Sequence, residues 1–546
     1  MSLASRLLAL LADLPSARTR EVGVERDLPV TMPDGAVLLA DRYFPDDCEK
    51  PPVVLIRTPY GRRSFGVFGR VFAERGYQAV IQSLRGTFGS GGRFEFRDER
   101  EDGRATLDWL ARQRWCGDRV GMYGPSYLGF VQWALAAEAP DFLRALAIQV
   151  ATSSRRHSLH AGGAFHLDFA LTLVHTIVDQ EGPAWRTLWR RFRQAKALAP
   201  AFAHLPLCEA DARAVGRSVS FYQDWLAHTE ADDPYWQAMD HSRELASVSA
   251  QVNLVAGWHD LYLARQLADF AALRSAGRSP RLTIGPWAHT DFGAMAAGLR
   301  ESLAWFDAWL RDDHSAPRMA PVRVFVMGSG RWLDLPDWPP PATPTRFHLQ
   351  AGGGLATTPP GESEPDRYQY DPADPTPSLG GALISRQAGA RDNRRLEARP
   401  DVLVYTSGRL ERELQLVGPV AAELHVRSSL LHTDFFVRLC DVAPGGRSAN
   451  LCDGIVRLRP GALRDADGVM RVRVELSPTA CRLLRGHALR VQVSSGAHPR
   501  FARNLGTGEP LASATKMAVA RQEVFHDPEH PSAVIVPVHG SADQMI

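Results

Sequence analysis

Between residues 53 and 150, short apolar runs alternate with helical stretches, and few folds accommodate that pattern. Val53–Arg57, Ala79–Gln82, Val120–Tyr123 and Leu146–Val150 each read as a strand buried on both faces. Between them lie Phe68–Arg75, closed by Gly76 at a C′ position, then Asp102–Gln113, and Tyr127–Glu138, which stops at Pro140. Strands and helices joined by short connections predict a mostly parallel sheet covered on both faces. Ahead of it, Val22–Leu28 and Val37–Tyr43 read as strands either side of a Pro33-Asp34-Gly35 turn.

The alternation then breaks. From about 155 to 245 strand signals vanish and helical ones take over, as in Ala184–Ala197 with Trp185, Leu188, Trp189 and Phe192, aromatics expected to pack in a core. Sheet signals return at Val252–Ala256 and Arg281–Ile284, followed by the helix Glu301–Arg311. Past about 320 come the Pro-rich loops Pro336–Pro344 and Pro359–Pro377, then short β runs at Val402–Thr406, Ala422–Val426, Phe435–Leu439, Val472–Leu476 and Leu489–Val493. They suggest an all-β sandwich or jelly roll. A chain of 546 residues exceeds one core, so we divide it into an α/β domain (1–150 and 246–318), a helical insertion (151–245) and a β domain (319–546).

Other function classes find little support. Net charge is +2 with no long Lys/Arg block, so neither nucleic acid nor a membrane surface is expected as partner. The six cysteines are scattered without metal-ligand spacing and read as free thiols of a reducing compartment. Asp312-Asp313-His314 reads as a solvated helix end rather than a metal site. The opening MSLASRLLALLADLP is too short in its apolar part for a secretory signal and reads as a helix or a loose end. No apolar run is long enough to span a bilayer, so a cytoplasmic protein is expected.

The strongest local signal is Val120-Gly-Met-Tyr-Gly-Pro-Ser126-Tyr-Leu-Gly129. A strand enters a tight turn carrying Ser126 and a helix follows at once, the arrangement of a nucleophile elbow. The spacing is G-x-S-x-x-G, looser than G-x-S-x-G, and a helix-capping serine would give the same local pattern. Two later loops each follow a strand: Gly257-Trp258-His259-Asp260 and Gly285-Pro286-Trp287-Ala288-His289. The order Ser, Asp, His makes Ser126 the nucleophile, His289 the base and Asp260 the residue that orients it. His259 is a rival base, but it neighbours the orienting acid and sits on the other loop. Oxyanion donors are expected from the backbone N–H of Tyr127 and the phenol of Tyr60, in the loop Arg57–Arg62. Trp258 and Trp287 flank the two loops and either line the pocket or pack in the core.

The motifs Arg57–Gly61, Gln82 with Arg85-Gly86, Gly124–Gly129, Gly257–Asp260, Gly285–His289, Trp305–Leu310, Val326–Gly328 with Trp332, and Trp338-Pro339 run through most of the chain. Asp401–Ser407, Thr433–Val442 and Asp453–Arg457 continue them in the β region. Together they resemble the CocE/NonD group of α/β-hydrolases, which takes in ester hydrolases, α-amino acid ester hydrolases and the catalytic part of Xaa-Pro dipeptidyl-peptidases. The resemblance implies an α/β-hydrolase domain with an inserted helical cap and a C-terminal jelly roll, the same triad, Tyr60 and Tyr127 in the oxyanion hole, and no metal or organic cofactor. It places Gln82 near the substrate. Within the helical insertion, His160, Phe165, His166 and Phe169 are expected to face the site. Ser83 stands where the group commonly has Asp, which puts recognition of a substrate amine in doubt. A small-molecule ester is the expected substrate and an amide or peptide the alternative. The peptidases carry a substantial N-terminal domain, whereas here the opening strands begin near residue 21. Relatives form dimers or larger assemblies, and a homo-oligomer is expected by that analogy.

Overall fold

The computed structural model describes residues 2–46, 48, 50–95, 99–182, 184–315 and 320–540. Helix α1 (Leu3–Leu11) precedes the antiparallel pair β1 (Val22–Thr31) and β2 (Val37–Pro45). Then follow β3 (Val53–Thr58), α2 (Gly66–Ala73), β4 (Gln78–Ser83), α3 (Glu99–Ala111), β5 (Val120–Pro125), α4 (Tyr127–Ala136) and β6 (Leu143–Gln149).

The next part is helical: α5 (Arg156–Leu159), a short hairpin of β7 (His160–Ala161) and β8 (Ala164–Phe165), α6 (Leu167–Ile177), α7 (Ala184–Ala203), α8 (Ala210–Val215), α9 (Ser220–Ala227) and α10 (Pro234–Gln237). The chain returns through β9 (Gln251–His259), α11 (Leu263–Ser275), β10 (Arg281–Ala288), α12 (Phe292–Leu310), β11 (Val322–Val326) and β12 (Arg331–Leu335).

The first sheet has ten strands, in the order β1-β2-β4-β3-β5-β6-β9-β10-β11-β12. From β4 to β11 all neighbours run parallel, and the antiparallel pairs sit at the two edges. The apolar runs become its centre because successive side chains point to opposite faces. Val54, Ile56 and Ile81 join the cluster under α2 and α12, while Val53, Leu55 and Val80 join the one under α3 and α11.

A second sheet of eleven strands, with its own apolar core, occupies the region from Thr343 to Val538. Its longest pair is Leu414–Ser428 against Met470–Leu483. The two parts are stitched at the hairpin. The N–H of Arg457 donates to the Gly162 carbonyl at 2.7 Å, that of Ala502 to Phe165 at 2.8 Å, and that of Asp168 to Pro499 at 3.0 Å.

Two expectations need revision. The boundary at 318/319 lies outside the described residues, yet β11 and β12, which follow it, pair into the first sheet. The register Leu282 with Val322 shows why: β11 extends the parallel edge of β10, and the change in composition comes only afterwards. Trp189 and Phe192 are 54% and 70% exposed and do not pack in a core. The side chains of Trp185 and Leu188 lie outside the described residues. No helix among the described residues is long and apolar enough to cross a membrane. All six cysteines are free thiols.

Candidate active site

β5 ends in a turn that holds Ser126 at φ 57°, ψ −119°, a backbone that non-glycine residues rarely adopt. Neighbouring glycines let the turn close. A Cβ on Gly124 would fall 2.3 Å from that of Leu128, and one on Gly129 2.5 Å from that of Ala151. The Ser126 N–H donates to Gln149 in β6 at 2.9 Å, and its carbonyl accepts from Gly129 and Phe130. Strand and helix thus grip the serine from both sides.

Asp260 follows β9 and His289 follows β10 on adjacent parallel strands. Asp260 Oδ1 accepts from the N–H of Tyr262 at 2.7 Å and Oδ2 from Nδ1 of His289 at 2.6 Å. That assignment leaves Nε2 to accept from Ser126 Oγ at 3.0 Å. The Asp260 and His289 side chains are 0% and 6% exposed, so both hydrogen bonds are shielded from water. His289, and not His259, lies within reach of the serine. His259 is buried near Asp453 and Arg438 of the β region, and burial pushes its pKa down.

Tyr60 follows β3, its N–H held by Thr58 Oγ1 at 3.1 Å. Burial pushes its phenol up to about 12, so it is a neutral donor near pH 7. The preceding carbonyl, that of Pro59, accepts from Gln180 Nε2 beyond α6 at 2.7 Å. Tyr127 opens α4, so its backbone N–H belongs to the first helical turn, beside the nucleophile.

The expected pocket residues divide. Phe169 packs edge-on against Tyr262 at 6.0 Å, and Tyr262 packs on His289 at 5.3 Å, which brings α6 over the histidine. The others are corrections. Gln82 is wholly buried, its Oε1 accepting from Arg57 Nε at 2.9 Å and Thr106 Oγ1 at 3.0 Å, so that its oxygen holds Arg57 while its Nε2 has no hydrogen-bond partner among the described residues. Trp258 is core: its Nε1 donates to Phe325 at 2.6 Å and its ring packs on Trp338. Trp287 packs over Gly285 and Gly293 and against Trp332, bracing its own loop. Phe165 is fully buried between His160 and Tyr222. His166 packs on Phe501 of the β region at 4.7 Å, and burial keeps it and His160 neutral. Ser83 is also buried, its Oγ accepting from Arg62, so the exchange for Asp does not alter a surface open to substrate.

Sequence reasoning missed Tyr262, whose ring packs on His289, and Glu99, which accepts from the Tyr127 phenol. Tyr262 had a signal, its place two residues after Asp260 on the same tight loop. Among the described residues no group of three or more His, Cys, Asp or Glu side chains is arranged to hold a metal ion. A cavity of about 270 Å³ between the inserted helices and the β region is lined by Leu167, Leu205, Leu207 and Arg503, among others, and by none of the triad.

A family profile described as X-Pro dipeptidyl-peptidase (S15 family) matches residues 34–291. One described as the X-Pro dipeptidyl-peptidase C-terminal non-catalytic domain matches residues 315–535. The chain is 34% identical to cocaine esterase of Rhodococcus sp. (strain MB1 Bresler), an alignment covering 94% of this chain and 98% of that one. Its fold is shared with a solved α-amino acid ester hydrolase (TM-score 0.79, 23% identity, 96% of this chain and 98% of that one). It is shared too with an aminopeptidase from a marine sediment archaeon, Thaumarchaeota archaeon (TM-score 0.78, 22% identity, 97% and 99%). With a third of its residues identical to cocaine esterase along nearly the full length of both, the chain belongs to the CocE/NonD family of serine ester hydrolases.

Proposed function

We propose that ester hydrolysis runs here through an acyl-enzyme on Ser126. The observation that carries this is the unbroken relay from Ser126 Oγ to His289 Nε2 and from Nδ1 to Asp260, at 3.0 and 2.6 Å. As Oγ attacks the ester carbonyl, its proton passes to Nε2, and Asp260 stabilises the imidazolium. The carbonyl oxygen, now an anion, takes hydrogen bonds from the Tyr60 phenol and the Tyr127 N–H. The imidazolium returns the proton to the leaving alkoxide, and water repeats the cycle on the acyl-enzyme.

The inserted helices act as a cap. Phe169 over Tyr262 and Gln180 on the Pro59 carbonyl support that role. The second sheet is read as a jelly roll, and the three-part division follows the expected boundaries except at β11 and β12. A cytoplasmic enzyme acting on small molecules, apart from nucleic acid and membrane, fits the free cysteines and the near-neutral charge. The family resemblance suggests a homo-oligomer.

A second reading, release of dipeptides or cleavage of amides, is favoured by the S15 profile over residues 34–291. One plate separates them. Wild type and Ser126→Ala are assayed on p-nitrophenyl acetate, butyrate and octanoate, and on Gly-Pro-p-nitroanilide. Ester turnover lost in the variant, with no anilide release, is expected; preferred anilide cleavage would establish the peptidase reading.

A further inference from the structure

The cavity that contains none of the triad lies where the inserted helices meet the β region, and its lining has a chemistry of its own. Leu167, Phe202, Leu205, Leu207, Leu511 and Ala514 give it an apolar wall. Much of the remaining lining is charged or polar, and most of those charges are already paired. Arg457 donates to both oxygens of Asp434 at 2.9 and 2.8 Å, and Arg459 to both oxygens of Glu230 at 2.8 and 2.9 Å. The other lining carboxylate, Glu509, lies 3.8 Å from Lys516 Nζ. Arg503 differs. Its half-buried guanidinium donates to the carbonyls of Pro372 at 3.3 Å and Ala203 at 2.5 Å, and it makes no ion pair among the described residues. Carbonyls take up some of its donors and leave its charge in place. A second group on the same lining is also unused. His160 is 4% exposed, and its buried Nε2 has no hydrogen-bond partner among the described residues. A buried polar atom without a partner is costly, so this one calls for an explanation.

We propose that this cavity is a second ligand site, apart from the triad, that binds a small carboxylate with an apolar body. The head group pairs with Arg503, whose planar fork matches a carboxylate. A neutral His160 with hydrogen on Nε2 offers the ligand a further donor. The apolar body lies against the leucines and Phe202 and so leaves water. The size agrees. An apolar cavity of about 150 Å³ holds benzene, so one of about 270 Å³ has room for a short acyl chain with its head group. The three lining arginines disfavour a cation, and an uncharged ligand would leave Arg503 without a counter-ion. An inorganic anion would leave the leucine wall unused.

The inference goes beyond acyl transfer at Ser126, and the test keeps the two apart. Hexanoate is titrated calorimetrically into full-length wild type, Arg503→Met and Ala514→Phe, with hexanamide as the uncharged isostere. Melting temperature and p-nitrophenyl butyrate turnover serve as fold checks. Wild type is expected to bind hexanoate with a Kd of about 1 mM or below, within reach of a ligand of this size. Arg503→Met, and the exchange of hexanoate for hexanamide, should each weaken binding about tenfold or more, the scale of one charge-assisted hydrogen bond. Ala514→Phe, which adds bulk to the lining, should abolish binding and leave turnover in place. Phenylboronic acid, a mimic of the tetrahedral intermediate at the triad, should not compete. Displacement of hexanoate by phenylboronic acid would place the ligand at the triad and overturn the proposal. So would an unchanged affinity in Arg503→Met, hexanamide binding as tightly as hexanoate, or no binding to wild type up to about 10 mM. If Arg503→Met does not fold, Arg503→Gln replaces it, and the hexanamide comparison decides on wild type alone. If Ser126→Ala retained ester turnover, the nucleophile assignment would fail, whereas the hexanoate titrations would still decide whether this cavity takes a carboxylate.

Discussion

Replacing Asp260 by Asn isolates one function of the relay. The carboxylate accepts two hydrogen bonds, from the Tyr262 N–H at 2.7 Å and from His289 Nδ1 at 2.6 Å. An asparagine can keep only one acceptor. With its oxygen toward Tyr262, its amide faces Nδ1 and forces the imidazole into the tautomer with hydrogen on Nε2, pointing at Ser126. The flipped amide would instead set a donor against the Tyr262 N–H in a buried loop, at a cost of about 1–3 kcal/mol. The tautomer therefore inverts, and the base can no longer accept the serine proton. A wrong-tautomer triad loses about 10⁴-fold in kcat, which corresponds to about 5.5 kcal/mol of transition-state stabilisation. The assay is kcat for p-nitrophenyl butyrate near pH 7.5, with melting temperature as a control and phenylboronic acid binding to check that the pocket survives. A loss below about tenfold would refute the assigned tautomer and with it Asp260 as the orienting acid.

The remaining predictions concern separate parts of the molecule. Tyr60→Phe should lower kcat about 10²–10³-fold, the scale of one oxyanion donor, and an unchanged kcat would remove Tyr60 from the hole. Trp258→Phe should lower Tm through loss of the bond to Phe325 while leaving kcat/KM nearly unchanged; a selective loss of kcat would return Trp258 to the pocket. Stability should also report on Asp269, whose carboxyl burial pushes up to about 7 while both its oxygens accept from Ser153. A folded pKa above the unfolded value of 3.8 means that its stabilisation is full below about pH 4 and is lost as pH rises through about 7. Asp269→Asn should flatten the fall of Tm between about pH 4 and 7, and an unaltered slope would show that the group titrates normally.

Much of the architecture could be read because its cause is local. A run such as Val53–Thr58, buried at every position, needs no alternation, and its short flanks leave only a parallel sheet. The serine turn, and acid and histidine on loops after two later strands, were legible for the same reason: turn chemistry and chain order are written in adjacent residues. What escaped depends on partners far along the chain. The fate of Trp258 is decided by Phe325 and Trp338, and that of Gln82 by Arg57 and Thr106. Strand β11 alternates buried and half-buried positions like any edge strand, and only its register with β10 assigns it to the first sheet. Arg155 carries no motif at all; only the fold sets its guanidinium against the rings of Tyr127 and Phe130 on α4.

The stitched hairpin has a consequence for engineering. Because the backbone of the hairpin is bonded to residues 457 and 502, and that of the first turn of α6 to residue 499, the inserted helices are not a detachable lid that can be traded between relatives. A graft of residues 151–245 alone would leave the carbonyls of Gly162 and Phe165 facing a foreign surface. Such a scaffold is better recombined in matched blocks, the inserted helices together with the β part that receives them, than exchanged segment by segment.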